Sequence, residues 1–506
     1  METASRRWVC HTLRLLGVLA LVQLPAACGS RPDTPIVKAT GPARVEGPLS
    51  LTPIRFSTTE HDFRPTIIDA EEGRLRVAER HGNPQGRQIE VRFVRFASTA
   101  ARPGSPIVYL AGGPGGSGTR SASGDRFPLF QRLRKMADVI AYDQRGTWGT
   151  DPYMVCPGSW SYPLDRPWEE ETLRSAVTPF LEECAEHWAG RADLSAYNTI
   201  ESAEDLESLR RALGADRLTL WGISYGTHLA LAYIRAYPDR VDRAILAGVE
   251  GPDHTWKLPE RGDAVLRRVD EAIRADPRAR AAAPDFLPSL EDLLGRLERN
   301  PVTVKVEHPK TRQPMTVVVG AGDLRRAIFS ALGEREDIEQ LLERGLPVLR
   351  GDFRNLALFA LQNRANNRAL VMSLSMDCAS GVSPERRTAI RRQEETSLLG
   401  NPNMWLDAAC SAWPVEDLGD AFRSPVEASV PVLFISGTLD GRTPPENAEE
   451  VLRRFPNGRH LVIEGGSHDD DLFLSSAEIV ESMMAFLRGE RPRERIVLAP
   501  IRFRLP

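Results

Sequence analysis

The stretch LTLWGISYGT, residues 218–227, decides the fold. Its first four residues are apolar or β-branched and predict a buried strand, and the residues after 226 predict a helix. Between them GISYG, residues 222–226, has the spacing Gly-x-Ser-x-Gly. Small residues two places before and after a serine permit a sharp strand-to-helix turn that raises the hydroxyl above the sheet edge. We therefore interpret Ser224 as a candidate nucleophile.

A neutral serine needs a base to activate it. His468 follows a predicted strand, residues 460–463, and so lies at the same edge of the sheet as Ser224. The other downstream histidines lie in a helix, at the start of an insertion, in a hairpin turn and at the amino end of a strand: His228, His254, His308 and His460. We predict that His468 is the base.

The base in turn needs a carboxylate that orients its ring. Asp440 ends FISGTLD, residues 434–440, just past the preceding predicted strand and before a helix. We predict Asp440 as this acid. Three aspartates directly after the histidine are alternatives, and we expect them instead to cap the last helix: Asp469, Asp470 and Asp471.

Acyl transfer also needs backbone N–H donors for the oxyanion. One candidate is the N–H of Tyr225, the residue after the nucleophile. The other is Gly113, with Gly112 as the alternative, in the loop AGGPGGSG, residues 111–118. Glycines let this backbone approach a substrate closely. A phosphate-binding loop would need Gly-Lys-Ser/Thr next, which is missing here.

The order of predicted elements indicates an α/β fold. Strands alternate with amphipathic helices over residues 66–252 and again over 430–506, which predicts a mostly parallel, eight-stranded sheet flanked by helices. The alternation is missing from residues 253–429, which are mainly helical in pattern apart from one hairpin at about 302–319. We predict that this stretch, the cap, is inserted after the sixth strand and shapes the substrate pocket.

With these motifs the chain resembles the proline iminopeptidase and tripeptidyl aminopeptidase group of α/β-hydrolases, which includes actinobacterial cell-envelope lipoproteins. The resemblance rests on four stretches that follow in family order: GGPGGSG at 112–118, YDQRG at 142–146, GISYGT at 222–227 and DGRTP at 440–444, the last followed by His468. It implies the α/β-hydrolase fold, exopeptidase activity and an acid near the cap that binds the substrate's α-amine.

The substrate end of the resemblance is less complete. The loop begins with Ala111 where many iminopeptidases have His, and the sixth strand ends in GVEGPD, residues 248–253, where tripeptidyl-type relatives often have Asp near Pro. Glu250 is the candidate for the amine-binding acid, and the alternative is a solvated glutamate at a strand end. We also expect Asp143 and Arg145 to form a buried ion pair that braces the loops near the oxyanion site.

Two other functions stay open. The same Ser-His-Asp set would serve a carboxylesterase or lipase, and a hydrolase fold can also persist as a binding protein without activity. The partner of a peptidase would be a peptide, and the partner of an esterase or lipase would be a small acyl compound. The 65 basic and 69 acidic residues nearly cancel and form no basic stripe, which argues against nucleic acid. We expect no cofactor and no metal.

The amino terminus resembles an export signal. Arginines precede the short apolar run LLGVLALVQL, residues 15–24, which ends at PAAC, residues 25–28. Residues 1–28 are therefore a predicted signal peptide, with Cys28 as a candidate lipidation site and the only expected contact with a membrane. Residues 29–65, rich in Pro and polar residues, are a predicted tether or arm. The chain is thus expected in the cell envelope, lipid-anchored or periplasmic, or secreted.

Four cysteines follow this signal, and an even number in an exported chain predicts two disulfides. Pairing of sequence neighbours would join Cys156 to Cys184 and Cys378 to Cys410. Spacing alone leaves all three connectivities open. Oligomeric state has no signal in the sequence.

Overall fold

The fold is built on one twelve-stranded sheet. The computed structural model describes residues 37–58 and 66–506. The strands are β1 (Val37–Ala39), β2 (Arg44–Glu46), β3 (Leu49–Ser57), β4 (Ile67–Ala78), β5 (Gln88–Phe96), β6 (Ile107–Leu110), β7 (Val139–Asp143), β8 (Leu218–Ile223), β9 (Val241–Ala247), β10 (Val302–Glu307), β11 (Pro314–Val319), β12 (Val432–Gly437), β13 (Gly458–Glu464) and β14 (Arg495–Val497).

Strand order places the predicted site residues at one edge. The order is β1-β3-β4-β5-β7-β6-β8-β9-β12-β13-β14, β2 pairs with β3, and β10 and β11 form a separate hairpin. From β7 to β14 all neighbours are parallel. The loops that leave β6, β8, β12 and β13 at their carboxyl ends therefore meet at the same edge, where ligands bind in open α/β sheets.

Helices cover both faces of this sheet. They are α1 (Gly118–Ser123), α2 (Phe127–Leu133), α3 (Glu170–Trp188), α4 (Thr199–Ala212), α5 (Tyr225–Ala236), α6 (Pro259–Ala275), α7 (Pro277–Ala282), α8 (Phe286–Arg299), α9 (Ala321–Ala331), α10 (Arg335–Glu339), α11 (Leu341–Leu349), α12 (Arg354–Arg364), α13 (Val371–Ser380), α14 (Pro384–Glu394), α15 (Met404–Cys410), α16 (Gly419–Arg423), α17 (Pro445–Leu452), α18 (Asp471–Leu474) and α19 (Ala477–Leu487). Two short 3₁₀ turns are Leu194–Ala196 and Pro238–Arg240.

Side chains of one central strand alternate between two cores. Val108 and Leu110 of β6 belong to the core on one face, whereas Ile107 and Tyr109 belong to the core on the other. All four are essentially inaccessible to solvent. Burial on both faces explains why the parallel strands are continuous apolar runs in the sequence. No helix in the described part of the chain is long and apolar enough to cross a membrane.

The amino-terminal segment differs from the prediction. The sequence predicted a tether or arm over residues 29–65, but β1, β2 and β3 lie within it and extend the sheet. In β3 the buried residues alternate with partly exposed ones, and its partner β4 supplies the pairing that local sequence could not reveal. With β14 at the other edge, these strands raise the expected eight to twelve. The predicted signal peptide and Cys28 lie outside the described residues.

The cap lies between β9 and β12. Helices α6 to α12 and the β10–β11 hairpin enclose a core of their own, which contains Val265, Leu293, Val317 and Leu342. The predicted hairpin is present, with β10 and β11 paired from Val302–Val319 to Glu307–Pro314. Two residues near the carboxyl terminus, Ile501 and Phe503, also pack into this core.

Residues 154–197 lie within the predicted first part of the hydrolase core. They pack with α13 and α15 of the cap in a shared cluster. Backbone hydrogen bonds join them: the N–H of Cys156 donates to the Ala369 carbonyl, and that of Tyr162 donates to the Arg364 carbonyl. The 154–197 segment and the cap thus lie together over the sheet edge, and we call these two parts the lid. Nothing local in its sequence specifies this partner.

Both disulfides join sequence neighbours. Cys156 is bonded to Cys184, and Cys378 to Cys410. The first closes the 154–197 segment onto its helix α3, and the second joins α13 to α15. The neighbour pairing is confirmed.

Candidate active site

Ser224 stands at a sharp turn between β8 and α5. Its backbone has φ 53° and ψ −127°, a left-handed conformation that is costly for a residue with a side chain. The flanking glycines are required by space. A Cβ at Gly226 would lie 2.0 Å from the Leu110 carbonyl oxygen, and one at Gly222 would lie 2.7 Å from the Gly226 oxygen. The turn matches the one that the Gly-x-Ser-x-Gly spacing predicts.

His468 and Asp440 are in direct contact. The His468 Nδ1 lies 2.8 Å from Asp440 Oδ2, and both side chains are buried. His468 follows β13 and Asp440 follows β12, as the sequence predicts. This bond leaves Nε2 of the ring facing away from the aspartate, and His468 and Ser224 line the same cavity.

Asp440 is held ionised. Burial alone would raise its pKa, but the charge of His468 and hydrogen bonds from His468 and Thr443 lower that pKa to about 2. The N–H groups of Arg442 and Thr443 donate to Oδ1 at 2.9 and 2.8 Å, and the Thr443 hydroxyl donates to Oδ2 at 2.7 Å. Thr443 is also 3.1 Å from the His468 Nδ1. Thr443 stands in the DGRTP stretch, but nothing in that pattern marks it as a partner of the aspartate and the imidazole.

The glycine loop after β6 packs against the nucleophile. A Cβ at Gly112 would lie 2.9 Å from the Ser224 Cβ, so only glycine fits there. Gly112 and Gly113 both line the cavity that Ser224 lines. Tyr225 is the first residue of α5, so its N–H has no acceptor within the helix. Both predicted donors are therefore placed beside Ser224.

Asp143 and Arg145 do not form the predicted ion pair. Arg145 is fully buried and binds both oxygens of Asp205 at 2.7 Å. Asp143 accepts from the hydroxyls of Ser117 and Thr119, both at 2.6 Å. Asp143 ends β7 and Arg145 lies in the loop after it, and the two side chains have different partners. Asp143 braces the end of the glycine loop, and Arg145 ties α4 to the loop after β4.

The remaining histidines have structural partners. The ring of His228 lies 3.0 Å from the Gly251 oxygen, and that of His254 contacts Glu450 at 3.1 Å. His308 accepts from backbone N–H groups of its hairpin turn, and His460 contacts the Ser436 hydroxyl. These positions agree with the choice of His468.

The three aspartates after His468 do not cap the last helix, which is a correction. Ser476 caps α19 instead, accepting from the Glu478 N–H. Asp469 and Asp470 bind Arg126. Asp471 accepts from the N–H and hydroxyl of Ser467, at 3.1 and 2.8 Å. The short helix α18 begins at Asp471 and separates the three aspartates from α19, and the sequence pattern does not reveal that interruption.

A cavity of about 690 Å³ opens above the site, within the size range of small-molecule pockets. The carboxyl ends of β6 and β8 form one side, with Gly112, Gly113 and Ser224. The cap and the start of the 154–197 segment's helix form the rest, including Trp168, Phe329 and Trp405. The cap and the 154–197 segment thus cover the cavity together, although they are separate in the sequence.

Glu250 lines this cavity but is already paired. It is 5% exposed, and its carboxylate lies 3.0 Å from the Lys257 Nζ and 3.3 Å from the Thr255 hydroxyl. Burial raises its pKa, and the charges of Lys257 and His228 outweigh this and lower it. Glu250 therefore lines the same cavity as Ser224 and is buried rather than solvated, but carries a charge that Lys257 balances.

Asp377 is a second acid in the same cavity. It stands on α13, directly before the disulfide cysteine Cys378. Burial raises its pKa well above the ordinary range, repulsion from Glu250 raises it further, and Lys257 lowers it. Glu250, Lys257 and an ionised Asp377 together carry one unbalanced negative charge. The sequence analysis did not single out Asp377, since only the cap's folding brings it to Ser224.

Comparison with known proteins identifies the family. Residues 105–472 match the family described as alpha/beta hydrolase fold. The chain belongs to the α/β-hydrolase family. The predicted fold class is confirmed, and this α/β-hydrolase is an enzyme of the serine hydrolase type.

Two curated relatives place it more narrowly. The α/β-hydrolase is 30% identical over 484 residues to the serine protease Hip1 of Mycobacterium tuberculosis, covering 87% of this chain and 89% of the relative. It is 26% identical over 421 residues to the tripeptidyl aminopeptidase of Streptomyces lividans, covering 77% and 76%. The resemblance to the tripeptidyl aminopeptidase and proline iminopeptidase group is confirmed.

The chain also matches solved structures of other proteins. A thermophilic esterase from Thermogutta terrifontis is 19% identical, with a TM-score of 0.32, and the match covers 79% of this α/β-hydrolase and 94% of the esterase.

Proposed function

We propose that the protein is an aminopeptidase that releases an N-terminal residue or short N-terminal peptides through a serine acyl-enzyme. The observation that carries this proposal is Asp377, an acid without a balancing cation in the cavity that also contains Ser224. A buried carboxylate is a strong partner for an α-ammonium group, and its position fixes how much chain enters before the cut. The names of the relatives, a tripeptidyl aminopeptidase and a serine protease, support the same activity.

The geometry supports a distinct catalytic role for each residue in this proposal. Ser224 Oγ attacks the scissile carbonyl while His468 Nε2 takes its proton, and the ionised Asp440 stabilises the resulting imidazolium. The N–H groups of Tyr225 and Gly113 are assigned to the oxyanion, with Gly112 as the alternative for the second. His468 then protonates the leaving amine. Water next attacks the acyl-enzyme with His468 as the base, and His468 returns the proton to Ser224 Oγ as the acyl group leaves.

The amine end is assigned to the acidic pair in the cavity. Lys257 neutralises Glu250, and Arg325 and Arg126 pair with Glu298 and Asp469. Glu169 and Glu170 also line the cavity but are exposed to solvent, which leaves Asp377, within the described part of the chain, as the buried acid that faces no paired cation. We therefore name Asp377 as the amine-binding acid and give Glu250, the acid predicted from sequence, the supporting role of orienting Lys257.

Export belongs to the same proposal. Two disulfides among the described cysteines suit an oxidising compartment, and the amino-terminal pattern suits a signal peptide with lipidation at Cys28. Cell fractionation tests this location.

A substrate series tests the activity. We expect a tetrapeptide amide with a free amine to be cleaved, and its N-acetylated form to lose at least tenfold in kcat/KM. The isosteric variant Asp377→Asn should lose roughly tenfold to a hundredfold with the free-amine peptide, because a hydrogen bond between two charges is lost. The acetylated peptide should respond far less to the same substitution.

The pH dependence supplies a second readout. The pKa of Asp377 is raised, so below that pKa the carboxyl is neutral and cannot attract an ammonium. The KM of free-amine peptides should therefore fall as pH rises through this pKa, and rise again near pH ~8 where the substrate amine loses its proton. Cleavage of acyl esters alone would make the protein an esterase, and equal rates with blocked and free peptides would make it a peptidase that does not bind the α-amine. Either result would reject the aminopeptidase.

A further inference from the structure

The cavity contains five cationic side chains, and four of them face a carboxylate. Lys257 pairs with Glu250, Arg325 with Glu298, Arg442 with Glu334 and Arg126 with Asp469. The fifth is Arg326. Among residues 37–58 and 66–506 its guanidinium has no hydrogen bond and no ion pair, and it makes one cation–π contact with an aromatic ring.

Arg326 lies on α9, and its guanidinium stacks on the ring of Trp168, 4.0 Å from the ring centroid. The acid nearest to it along the helix, Asp323, is already used. One oxygen of Asp323 binds Arg364, and the other accepts from the N–H groups of Gly320 and Trp168. The stack orients the guanidinium, and its hydrogen-bond donors stay unused.

An unpartnered cation in a partly closed site is costly. Burial lowers the pKa of Arg326 to about 10, and the neighbouring Arg364 lowers it too while Asp323 opposes them. The group nevertheless keeps its proton at neutral pH. Such a cation is stabilised when an anion enters, since buried charges in proteins are paired. Trp168 and Arg326 both line the cavity, so the anion would be part of a bound substrate.

We propose that Arg326 forms a subsite for a carboxylate of the substrate, held by a bidentate pair on the Trp168 platform. A planar guanidinium with free donors matches a carboxylate in this way. That the substrate is a peptide rests on the proposed function. The carboxylate then has two sources with the same chemistry, an acidic side chain or the free carboxyl terminus of a short peptide.

The test compares substrates that differ only in this charge. Peptides are paired as Asp against Asn at each position, and as free acid against carboxyl-terminal amide. In parallel, p-nitrophenyl esters of dicarboxylic acids of increasing length are paired with the neutral monocarboxylic esters of the same length. For each pair the readout is the ratio of kcat/KM, charged over neutral, in wild type and in Arg326→Gln.

We expect the ratio to fall about tenfold or more in Arg326→Gln for at least one pair, as for loss of a charge-assisted bond. The pair that responds identifies the source of the carboxylate. Arg326→Lys should retain part of the ratio, since it keeps the charge and loses the fork. Arg325→Gln is the matched control, because the adjacent Arg325 is held by Glu298 and the Leu398 carbonyl.

The two proposals fail in different ways. If the esters respond and no peptide is cleaved, the carboxylate subsite stands and the aminopeptidase is rejected. If Arg326→Gln changes charged and neutral substrates alike, or only lowers the Tm, Arg326 is a structural stack and the subsite is rejected. Labelling of Ser224 by a fluorophosphonate shows that each variant is folded around an intact site.

Discussion

At the scale of single residues, the backbone of Ser224 is held in a conformation that costs about 1–3 kcal/mol. Its neighbours fix it there: the Ser224 N–H donates to the Ala247 carbonyl at 3.0 Å, and Thr227 donates to the Ser224 carbonyl from both its N–H and its hydroxyl. The folded protein therefore holds this strained conformation before a substrate binds, and Ser224 lines the cavity in that conformation.

The acid of the site is open to a direct test. Asp440→Asn should lower kcat by roughly four orders of magnitude, because the amide cannot stabilise an imidazolium and favours the wrong tautomer. The variant should still fold, since an amide fits the same space. Steady-state kinetics with any cleaved substrate, together with the unfolding transition, would measure both effects.

The control is the alternative acid. Asp471→Asn should keep kcat within about tenfold, because Asp471 binds Ser467 and not the imidazole. Near-normal turnover in Asp440→Asn, with loss in Asp471→Asn, would reverse the assignment.

At the residue level, the sequence predicts position best where one stretch of chain carries the whole signal. Ser224 stands in a self-contained turn, and Asp440 and His468 each follow a buried strand. Asp377 and Arg326 have no such local mark. Each lines the cavity only because α9 and α13 fold over the sheet edge, and the sequence shows ordinary helical residues there.

At the scale of elements, α13 and α15 form one wall of the cavity. Asp377 of α13 and Trp405 of α15 both line it, and the Cys378–Cys410 disulfide joins the two helices. The bond is next to Asp377 in the chain, so it holds the Asp377 side chain as well as the wall.

Removal of this disulfide should change both stability and binding. In Cys378→Ala/Cys410→Ala, loss of a loop of 32 residues should lower the free energy of unfolding, by about 3–4 kcal/mol from chain entropy. The KM for free-amine peptides should rise, because α13 is no longer tied to α15. Urea unfolding and peptide kinetics measure the two effects.

The other disulfide is the matched control. Cys156→Ala/Cys184→Ala opens a similar loop, of 28 residues, away from the cavity lining. It should lower stability to a comparable extent with a smaller effect on KM. If both pairs changed KM equally, the cavity wall would depend on overall stability and not on the α13–α15 bond.

Element prediction from the sequence was uneven for a physical reason. Central strands such as β8 and β12 are buried on both faces and read as apolar runs. The strands at the amino-terminal edge have exposed positions, and Pro53 stands within β3, so their identity depends on pairing with β4. The 154–197 segment likewise takes its place from a partner some two hundred residues away in the chain.

At the scale of the whole molecule, the chain's end connects the sheet to the cap. After β14 the tail crosses to the cap core, where Phe503 is 4% exposed and Ile501 is 6% exposed. The Arg504 N–H donates to the Glu339 carbonyl at the end of α10. The cap is therefore fastened at the carboxyl terminus as well as at its two junctions with β9 and β12.

This fastening predicts a large effect from a distant substitution. Phe503→Ala should destabilise the protein by about 3–5 kcal/mol, as for loss of a buried phenyl ring with the cavity left behind. Arg502→Ala, at an exposed neighbouring position, should change stability by less than about 0.5 kcal/mol. Thermal and urea unfolding of the two variants measure the difference. Equal, small effects would mean that the tail is not part of the cap core.

The shared packing of the 154–197 segment with α13 and α15 has a consequence for engineering. The lid is not one contiguous cassette, because its two parts enter the sequence on either side of the nucleophile. A chimaera that grafted only residues 253–429 onto a related scaffold would juxtapose surfaces that had never been matched, around Cys156, Trp160 and Trp405. Specificity in this scaffold would therefore transfer between relatives by a double graft, with both segments moved together.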